Sequence, residues 1–323
     1  MGVTCSICGG AAKDRQVRVR SGRELTLWHC APCDFNFFAH DPGPDLAANK
    51  LDESRLQAAG LDIPARERDF ANGTAQSSRY VAEYLEAADR NANVLEIGCS
   101  WGYFLKLVRD AGASVYGVEL NTLRAAYVNN DLGIPCDATL EACETRAVRF
   151  RKIFLFYVLE YVPDPVTYLR RLTDMLETGG RLIVVTPNLN DALKDLWRNG
   201  GFQRFFYDEH AVNYMTPRAV ERLFAQLRGL SPEITTRQGY SFVNHSNWFL
   251  THAPRTTGVV GGDNFVSDIL LQLQPEVAID EWDSGRRVLA ARLADLVRSF
   301  DVEYRRALER EQYGNQIRVV ATK

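Results

Sequence analysis

Short apolar runs alternate with longer stretches of helical spacing across the middle of the chain, from about residue 77 to residue 239. The apolar runs predict buried strands at residues 94–97, 114–118, 152–159 and 181–186. Between them, apolar residues recur three and four positions apart, which predicts helices at residues 103–108, 122–130 and 166–176. This alternation indicates an α/β fold in which helices cover a parallel sheet.

The pattern continues less regularly on either side of this core. Upstream, Ser77 or Ser78 is placed to cap a helix that follows a predicted loop at residues 70–74. Downstream, the pattern predicts two helices and then a last strand, at residues 265–273, 284–313 and 316–321. The helices therefore form an insertion before the last strand, and they can pack on the core, cover a substrate as a lid or form a dimer face.

Two glycines four positions apart follow the first strand of this core. Gly98 and Gly102 frame a tight turn, where the absence of a Cβ permits positive φ and close approach of a ligand to the backbone. The pattern is Gly-x-x-x-Gly, so Ser100 stands where a further glycine is common. Glu119 closes the next strand about 20 positions later, where a carboxylate accepts hydrogen bonds from ribose hydroxyls. Asp137, at the end of a further short strand, is placed to meet a purine amine.

Four of the seven cysteines have metal-ligand spacing. They form two Cys-x-x-Cys pairs separated by 21 residues: Cys5, Cys8, Cys30 and Cys33. This layout is typical of a zinc ribbon, in which four thiolates close a tetrahedron. Alternating apolar residues between the pairs predict two short strands around Ser21 and Gly22. A closed four-cysteine site leaves no open coordination position, so the predicted zinc is structural.

Composition narrows the class of protein. The 323 residues are 46% hydrophobic and 24% charged, as in ordinary globular proteins, and no apolar run reaches the roughly 18 residues of a membrane-spanning helix. The formal net charge of −3 gives no overall attraction to phosphate backbones. The first residues lack an apolar segment of signal-peptide type. We therefore expect a cytoplasmic protein whose thiols stay reduced and which has no membrane partner.

Three motifs taken together resemble class I S-adenosylmethionine-dependent methyltransferases. These are the stretch from Glu96 to Gly102 with Glu119, the stretch 157–164 and the stretch 179–188. The resemblance covers about residues 77–239 and implies a Rossmann-like sheet of seven strands with the last strand antiparallel. One departure is Arg151, because the family usually has an acidic residue before the fourth strand.

The resemblance also implies which residues hold S-adenosylmethionine. The glycine loop would meet the methionine part, Glu119 the ribose and Asp137 the adenine, while residues 156–158 would lie beside the reactive methyl group. The full set of expected cofactor contacts is Glu96, Gly98, Cys99, Ser100, Gly102, Tyr103, Glu119, Leu120, Asp137, Phe156, Tyr157 and Val158.

The ends of the chain are similar to deoxysugar C-methyltransferases, which also have a four-cysteine zinc module before the core. In that family a Tyr-x-Glu-His cluster serves proton transfer, which here corresponds to Tyr207, Glu209 and His210. His210 is the expected general base, and Glu209 would orient its imidazole or bind the substrate. The family has a further long domain after the core, whereas only about 80 residues remain here. Related sugar and lipid O-methyltransferases also have a Glu-His pair at this place.

These observations predict a zinc ribbon at residues 1–41, a linker with a short helix at residues 42–76 and a class I methyltransferase domain at residues 77–323, whose residues 241–314 are the helical insertion. The expected function is methyl transfer to a sugar or similar polyhydroxylated small molecule, nucleotide-linked, in a biosynthetic pathway. The alternatives are an RNA methyltransferase that uses the ribbon for recognition and a methyltransferase-like binding module without catalysis. A homodimer is compatible with each.

Overall fold

Two β-sheets organise the computed structural model, which describes residues 3–39, 64–252 and 284–323. The strands are β1 (Lys13–Arg18), β2 (Glu24–Cys30), β3 (Phe35–Phe38), β4 (Asn93–Ile97), β5 (Ser114–Val118), β6 (Cys136–Asp137), β7 (Phe150–Phe156), β8 (Leu176–Pro187), β9 (Asn213–Tyr214), β10 (Ser231–Arg237) and β11 (Gln316–Thr322). The helices are α1 (Pro64–Tyr84), α2 (Tyr103–Asp110), α3 (Thr122–Asn130), α4 (Leu140–Glu144), α5 (Pro165–Met175), α6 (Gly200–Phe206), α7 (Pro217–Phe224), α8 (Phe242–Thr251) and α9 (Ser284–Arg310).

The larger sheet has seven strands in the order β10-β11-β8-β7-β4-β5-β6. The five strands from β8 to β6 run parallel, and β11 lies antiparallel between β8 and β10. This confirms the predicted Rossmann-like α/β sheet and its antiparallel last strand. The chain order reverses between β4 and β7, and ligands of such sheets bind beside the carboxyl ends of the strands at this switch point.

The smaller sheet joins the cysteine-rich segment to the rest of the chain. Its order is β1-β2-β3-β9, so the hairpin predicted around Ser21 and Gly22 is observed and is extended by β9 from the main domain. Cys30 and Phe35 belong to the same buried cluster as Phe224 of α7. Residues 3–39 therefore share both a sheet and a hydrophobic core with the residues that follow.

Helix α1 corrects one prediction. It runs without a break through the predicted loop at residues 70–74 and through Ser77 and Ser78, so neither serine caps its start. Gly73 serves packing here, because a Cβ on it would stand 2.3 Å from the ring of Tyr103 on α2. The Ser78 hydroxyl donates to the carbonyl of Thr74 one turn earlier, which satisfies it inside the helix.

Other element boundaries differ by a few residues. The strand predicted at residues 152–159 ends at Phe156, because Tyr157 has a φ of +58° and turns the chain out of the sheet. The strand predicted at residues 181–186 is longer, because β8 begins at Leu176 and includes Gly179 and Gly180. Strand β11 and helix α9 are found where they were predicted, whereas the helices predicted at residues 49–60 and 265–273 lie outside the described residues. Among the described helices, none is long and apolar enough to cross a bilayer.

Candidate active site

The glycine loop between β4 and α2 is tightly packed. Gly98 has a φ of +71°, and a Cβ on it would stand 2.6 Å from the Val158 side chain. Gly102 has a φ of +75° and begins α2, where a Cβ would stand 2.8 Å from Leu132. Ser100 also has a positive φ, +51°, and its hydroxyl accepts a hydrogen bond of 2.9 Å from Arg124. That hydrogen bond anchors the side chain of Ser100 in a position where glycine is more common.

Glu119 holds the loop from the end of β5. One carboxylate oxygen accepts the backbone N–H of Ser100 at 2.8 Å, and the other accepts that of Asn121 at 2.8 Å. Glu119 is buried, and these two N–H donors stabilise its negative charge away from water. A carboxylate oxygen accepts more than one hydrogen bond, and vicinal hydroxyls suit the remaining positions.

Glu96 lies deeper, within β4. It is buried, and its Oε2 atom has no hydrogen-bond partner among the described residues. Burial, and next the charge of Glu119, raise the pKa of Glu96 well above its usual range. An unpartnered buried carboxyl oxygen is costly without a ligand. An ammonium group, such as that of a methionine moiety, supplies the missing donor, so the loop and Glu96 fit S-adenosylmethionine.

Asp137 differs from its predicted setting. Both of its carboxylate oxygens accept hydrogen bonds from Arg146, at 2.6 and 2.8 Å. Sequence reasoning missed Arg146, which lies after α4 and has no distinctive spacing. Leu120 is exposed beside the carboxyl end of β5. The adenine contact predicted for Asp137 stays a prediction, with Arg146 as a neighbour of the same site.

The end of β7 covers the glycine loop. Val158 touches Gly98, and the ring of Phe156 stacks on Tyr80 of α1 with centroids 4.1 Å apart. Burial, and next the neighbouring Tyr80, raise the pKa of the Tyr157 hydroxyl well above its usual range. Residues 156–158 therefore stand between the glycine loop and α1, and their expected place beside the reactive methyl group stays a prediction. Cys99 of the glycine loop is buried, and its sulfur atom lies 3.6 Å from that of Cys136.

A cleft of about 460 Å³ opens beyond Tyr157. Aromatic rings from several elements line it: Tyr80, Tyr157, Tyr161, Phe205, Tyr214 and Tyr240. Three arginines line it as well, Arg20, Arg79 and Arg318, together with the carboxylates of Glu160, Asp191 and Asp208. Its size and mixture of rings with polar groups are those of a small-molecule site.

The predicted catalytic cluster lies at one side of this cleft. Asp208 lines the cleft, and one of its oxygens lies 2.9 Å from Nδ1 of His210 and accepts the His210 backbone N–H at 2.9 Å. The imidazole is half-buried and lies behind Asp208, outside the lining of the cleft. The carboxylate that orients His210 is thus Asp208, whereas the sequence suggested Glu209. The carboxylate of Asp208 was missed because the family pattern leaves this position unspecified.

Tyr207 and Glu209 face the cysteine-rich segment. The hydroxyl of buried Tyr207 accepts a hydrogen bond of 3.0 Å from Arg15, and burial raises its pKa. Burial raises the pKa of Glu209 as well, but hydrogen bonds from its own backbone N–H and from the Ser21 hydroxyl outweigh burial and leave this pKa below its usual range. Neither side chain lines the cleft, so their predicted part in proton transfer stays a prediction.

Asp191 was not singled out from the sequence. It follows β8, lines the cleft and is buried, with one oxygen accepting the N–H groups of Leu193 and Lys194. Burial raises its pKa to about 7, although those two donors oppose the shift. The signal available in the sequence was its place four residues after the stop at Pro187, at the ligand-binding edge of the sheet.

The four predicted zinc ligands come together. The sulfur atoms of Cys5, Cys8, Cys30 and Cys33 all lie within 4.8 Å of one another. Four thiolates about 2.3 Å from a central ion have such spacing, so the donor set fits tetrahedral zinc. Ligand atoms of Asp208, Glu209 and His210 also lie within 4.8 Å of one another.

Residues 65–232 match a family model described as a methyltransferase domain. The match spans 168 of the 323 residues, just over half of the chain.

Curated relatives match a shorter part. The chain is 29% identical over 120 residues to a ubiquinone biosynthesis O-methyltransferase of Xanthomonas euvesicatoria pv. vesicatoria, with 35% of this chain and 49% of that protein covered. It is 30% identical over 118 residues to a protein of the same name from Chromobacterium violaceum, with 33% and 51% covered. The chain spans about half the length of these curated relatives.

Solved structures are similar at low identity. One is a SAM-dependent methyltransferase from Archaeoglobus fulgidus, with 13% identity, a TM-score of 0.47 and coverage of 76% of this chain and 92% of that chain. Another is a plantazolicin methyltransferase in complex with SAH, with 15% identity, a TM-score of 0.45 and coverage of 87% and 94%. At these identities and TM-scores neither likeness carries information on function.

Proposed function

The chain belongs to the methyltransferase-domain family, which confirms the predicted enzyme class, and on that premise we propose that it transfers a methyl group from S-adenosylmethionine to a sugar or similar polyhydroxylated small molecule. The observation that carries the proposal is the position of Tyr157. It lies between Phe156 and Val158 over the glycine loop, and its own side chain lines the cleft. A methyl group presented at this point therefore faces an enclosed acceptor space.

The chain's part in donor binding follows from the loop geometry. Gly98 and Gly102 give the loop its close-packed, positive-φ shape, beside which Glu96 accepts the ammonium of the methionine part and Glu119 accepts the ribose hydroxyls. When bound, the sulfonium supplies a methyl group that is already reactive toward a nucleophile. Alignment of the acceptor and exclusion of water are then the main tasks of the protein.

Proton removal is assigned to the Asp208–His210 pair. Transfer to an acceptor hydroxyl forms an O–CH₃ bond, breaks the S–CH₃ bond and releases one proton. Asp208 lines the cleft and is bonded to Nδ1 of His210, so its carboxylate accepts the hydroxyl proton and passes it to Nδ1 along this contact. The Asp208 carboxylate then stabilises the imidazolium that forms.

The walls of the cleft support a polyhydroxylated acceptor. The exposed ring of Tyr240 offers an apolar face, while Asn315 and Gln316 bring amide groups to the lining. An RNA-binding face on the ribbon would draw on its arginines, Arg15, Arg18, Arg20 and Arg23. Two of these are engaged within the chain and away from the cleft lining, since Arg15 bonds Tyr207 and Arg18 pairs with Glu24. This weighs against an RNA-binding face on the ribbon.

The four-cysteine cluster is proposed to hold a structural zinc ion. Such a site needs deprotonated thiols, which fits the reducing cytoplasm as the place of action. A second copy of the chain remains compatible with the exposed apolar residues of α9, such as Leu296.

The test combines donor binding with turnover. Calorimetry with S-adenosylhomocysteine should give heat, and incubation with S-adenosylmethionine and a panel of nucleoside-diphosphate sugars and free sugars should yield S-adenosylhomocysteine by mass spectrometry. His210→Gln and Asp208→Asn should lower turnover by about 10²–10⁴-fold, the usual share of general-base catalysis, with donor binding unchanged. His252→Asn is the matched control, because His252 is exposed and has a φ of +54° that asparagine tolerates.

Absence of binding heat would refute the enzymatic proposal as a whole. Normal binding without turnover on any acceptor would favour the inert binding module. Full turnover of His210→Gln across the pH range would refute the assignment of the base alone.

A further inference from the structure

The turn between β1 and β2 reaches across to the acceptor cleft. Arg20, at its tip, lines the cleft although it belongs to the cysteine-rich segment. Its backbone N–H donates to the carbonyl of Tyr207 at 2.7 Å, and the neighbouring Val19 is buried against Tyr207 and Tyr214. The turn is thus fixed to the chain that carries the Asp208–His210 pair, and it forms one wall of the acceptor site.

The guanidinium of Arg20 is held in one orientation. Its Nε–H donates to the carbonyl of Phe205 at 2.9 Å, and the group lies 4.0 Å above the ring of Phe205. Nη1 lies 3.6 Å from an oxygen of Asp208, which is beyond the length of a hydrogen bond. The Nη groups therefore keep donor capacity toward the cleft while the Nε group is anchored.

The accessible charge of the cleft is positive. The Arg20 side chain is 47% exposed, whereas that of Asp208 is 15% exposed. Glu160 and Asp191 are buried. Glu160 accepts a hydrogen bond from the Thr186 hydroxyl, and Asp191 accepts hydrogen bonds from backbone N–H groups. A ligand that enters the cleft therefore meets the guanidinium of Arg20 before it meets these carboxylates.

We propose that Arg20 is a specificity-determining residue that binds a phosphate-type group of the acceptor at the mouth of the cleft. This inference rests on the proposed function and deepens it, because it gives the ribbon a part in acceptor choice. The planar fork of a guanidinium matches phosphate oxygens, and anchoring by Phe205 lowers the entropy lost when it binds. Arg318 lines the same cleft, but its charge is paired with Glu83, so Arg20 is the guanidinium to which the inference assigns the phosphate.

Binding of four probes to the full chain, loaded with S-adenosylhomocysteine, tests the inference. The probes are inorganic pyrophosphate, uridine diphosphate, glucose 1-phosphate and uncharged methyl glucoside, each measured by calorimetry. Arg20→Gln should lower the affinity for the phosphate-bearing probes by about 10–100-fold, the effect of losing hydrogen bonds to a charged group. The affinity for methyl glucoside should be unchanged. Arg23→Gln, an exposed residue on the same turn, removes the same charge outside the cleft lining and is the matched control.

The arms also identify the source of the phosphate group. Tighter binding of uridine diphosphate than of pyrophosphate indicates a nucleotide-linked acceptor, and tighter binding of glucose 1-phosphate indicates a sugar phosphate. Unfolding temperature and S-adenosylhomocysteine affinity of Arg20→Gln should equal those of the wild type, which separates recognition from folding. Equal loss in Arg20→Gln and Arg23→Gln, or no binding of any phosphate probe to the wild type, overturns the inference. Loss of donor binding or turnover would overturn the proposed function while leaving probe binding at Arg20 intact.

Discussion

Two carboxylates at the proposed donor site have opposite surroundings although they come from neighbouring strands. Glu119 accepts two backbone N–H groups, whereas one oxygen of Glu96 accepts none among the described residues. Hydrogen bonds from donors stabilise a carboxylate, and burial without them favours the neutral acid. At the scale of single residues, Glu119 is therefore ready to bind hydroxyls, and Glu96 is an acid that a cation can ionise.

Glu119→Gln should weaken S-adenosylhomocysteine binding by about 10–100-fold, because an amide replaces a charged acceptor of hydroxyl hydrogen bonds. Calorimetry measures the change. Glu141→Gln removes a carboxylate from the exposed surface of α4 and should leave the affinity as it is. An unchanged affinity in Glu119→Gln would show that the ribose lies elsewhere.

The affinity for S-adenosylhomocysteine should rise with pH through the pKa of Glu96 in the ligand-free protein. That pKa is raised by burial and by Glu119, and an ammonium beside the carboxyl lowers it, so the ligand prefers the ionised form. The affinity is then lost as pH falls, by at most about tenfold per pH unit for one proton. In Glu96→Gln this pH dependence should disappear. A wild-type curve that stays flat over the same pH range would contradict the assignment.

At the scale of elements, buried charges join the amino end of β7 to the turn after α1. Lys152 is buried, and its Nζ lies 2.6 Å from Asp89 and donates to the carbonyl of Tyr84 at 2.6 Å. Arg151 bonds the other oxygen of Asp89 at 3.2 Å. The family usually has an acidic residue where this chain has Arg151. Here the acidic residue at this place is Asp89, which comes from the turn after α1 and bonds Arg151.

Lys152→Met should destabilise the protein by about 3 kcal/mol or more, since it leaves the buried Asp89 short of its closest cation. Urea unfolding gives the change in free energy. The double variant Asp89→Asn with Lys152→Met should lose less than the two single losses together, because the fully buried pair is removed as a whole and the remaining partner, Arg151, is partly exposed. Lys106→Met breaks an exposed pair with Asp110 and should cost below about 0.5 kcal/mol. Equal losses at Lys152 and Lys106 would contradict the interpretation.

Elements with strong periodicity were predictable, and elements set by tertiary contacts were not. The residues of β4, β5 and α3 follow their patterns closely, because burial of one face determines both sequence and structure. Gly73 misled the prediction, since its role is to let α1 pass close to Tyr103 and not to turn the chain. The glycine loop and Glu119 could be found from spacing along the chain. Arg20, Asp191 and Asp208 could not be placed, because the cleft assembles from segments far apart in sequence.

At the scale of the whole molecule, the cysteine-rich segment is built into the methyltransferase core. Strand β3 pairs with β9, and Phe38 donates its N–H to the carbonyl of Val212 at 2.9 Å. The Thr216 hydroxyl donates to the carbonyl of Asp34 at 2.9 Å, next to Cys33 of the four-cysteine cluster. Cys5, Cys30 and Cys33 belong to the buried cluster that also contains Leu155 and Val184 of the central sheet. Contacts of this kind make two segments unfold together.

Metal removal should therefore destabilise the entire chain in one step. A strong zinc chelator should move the single calorimetric unfolding transition to lower temperature, because the binding free energy of a structural ion is part of the folding free energy. Cys30→Ser should act likewise and lose the bound metal, whereas Cys143→Ala, also buried but outside the ligand set, should keep it. Two separate transitions after chelation, with the upper one unmoved, would mean that the ribbon folds apart from the core. A single transition at lower temperature would show instead that the ribbon and the core unfold as one unit that the metal stabilises.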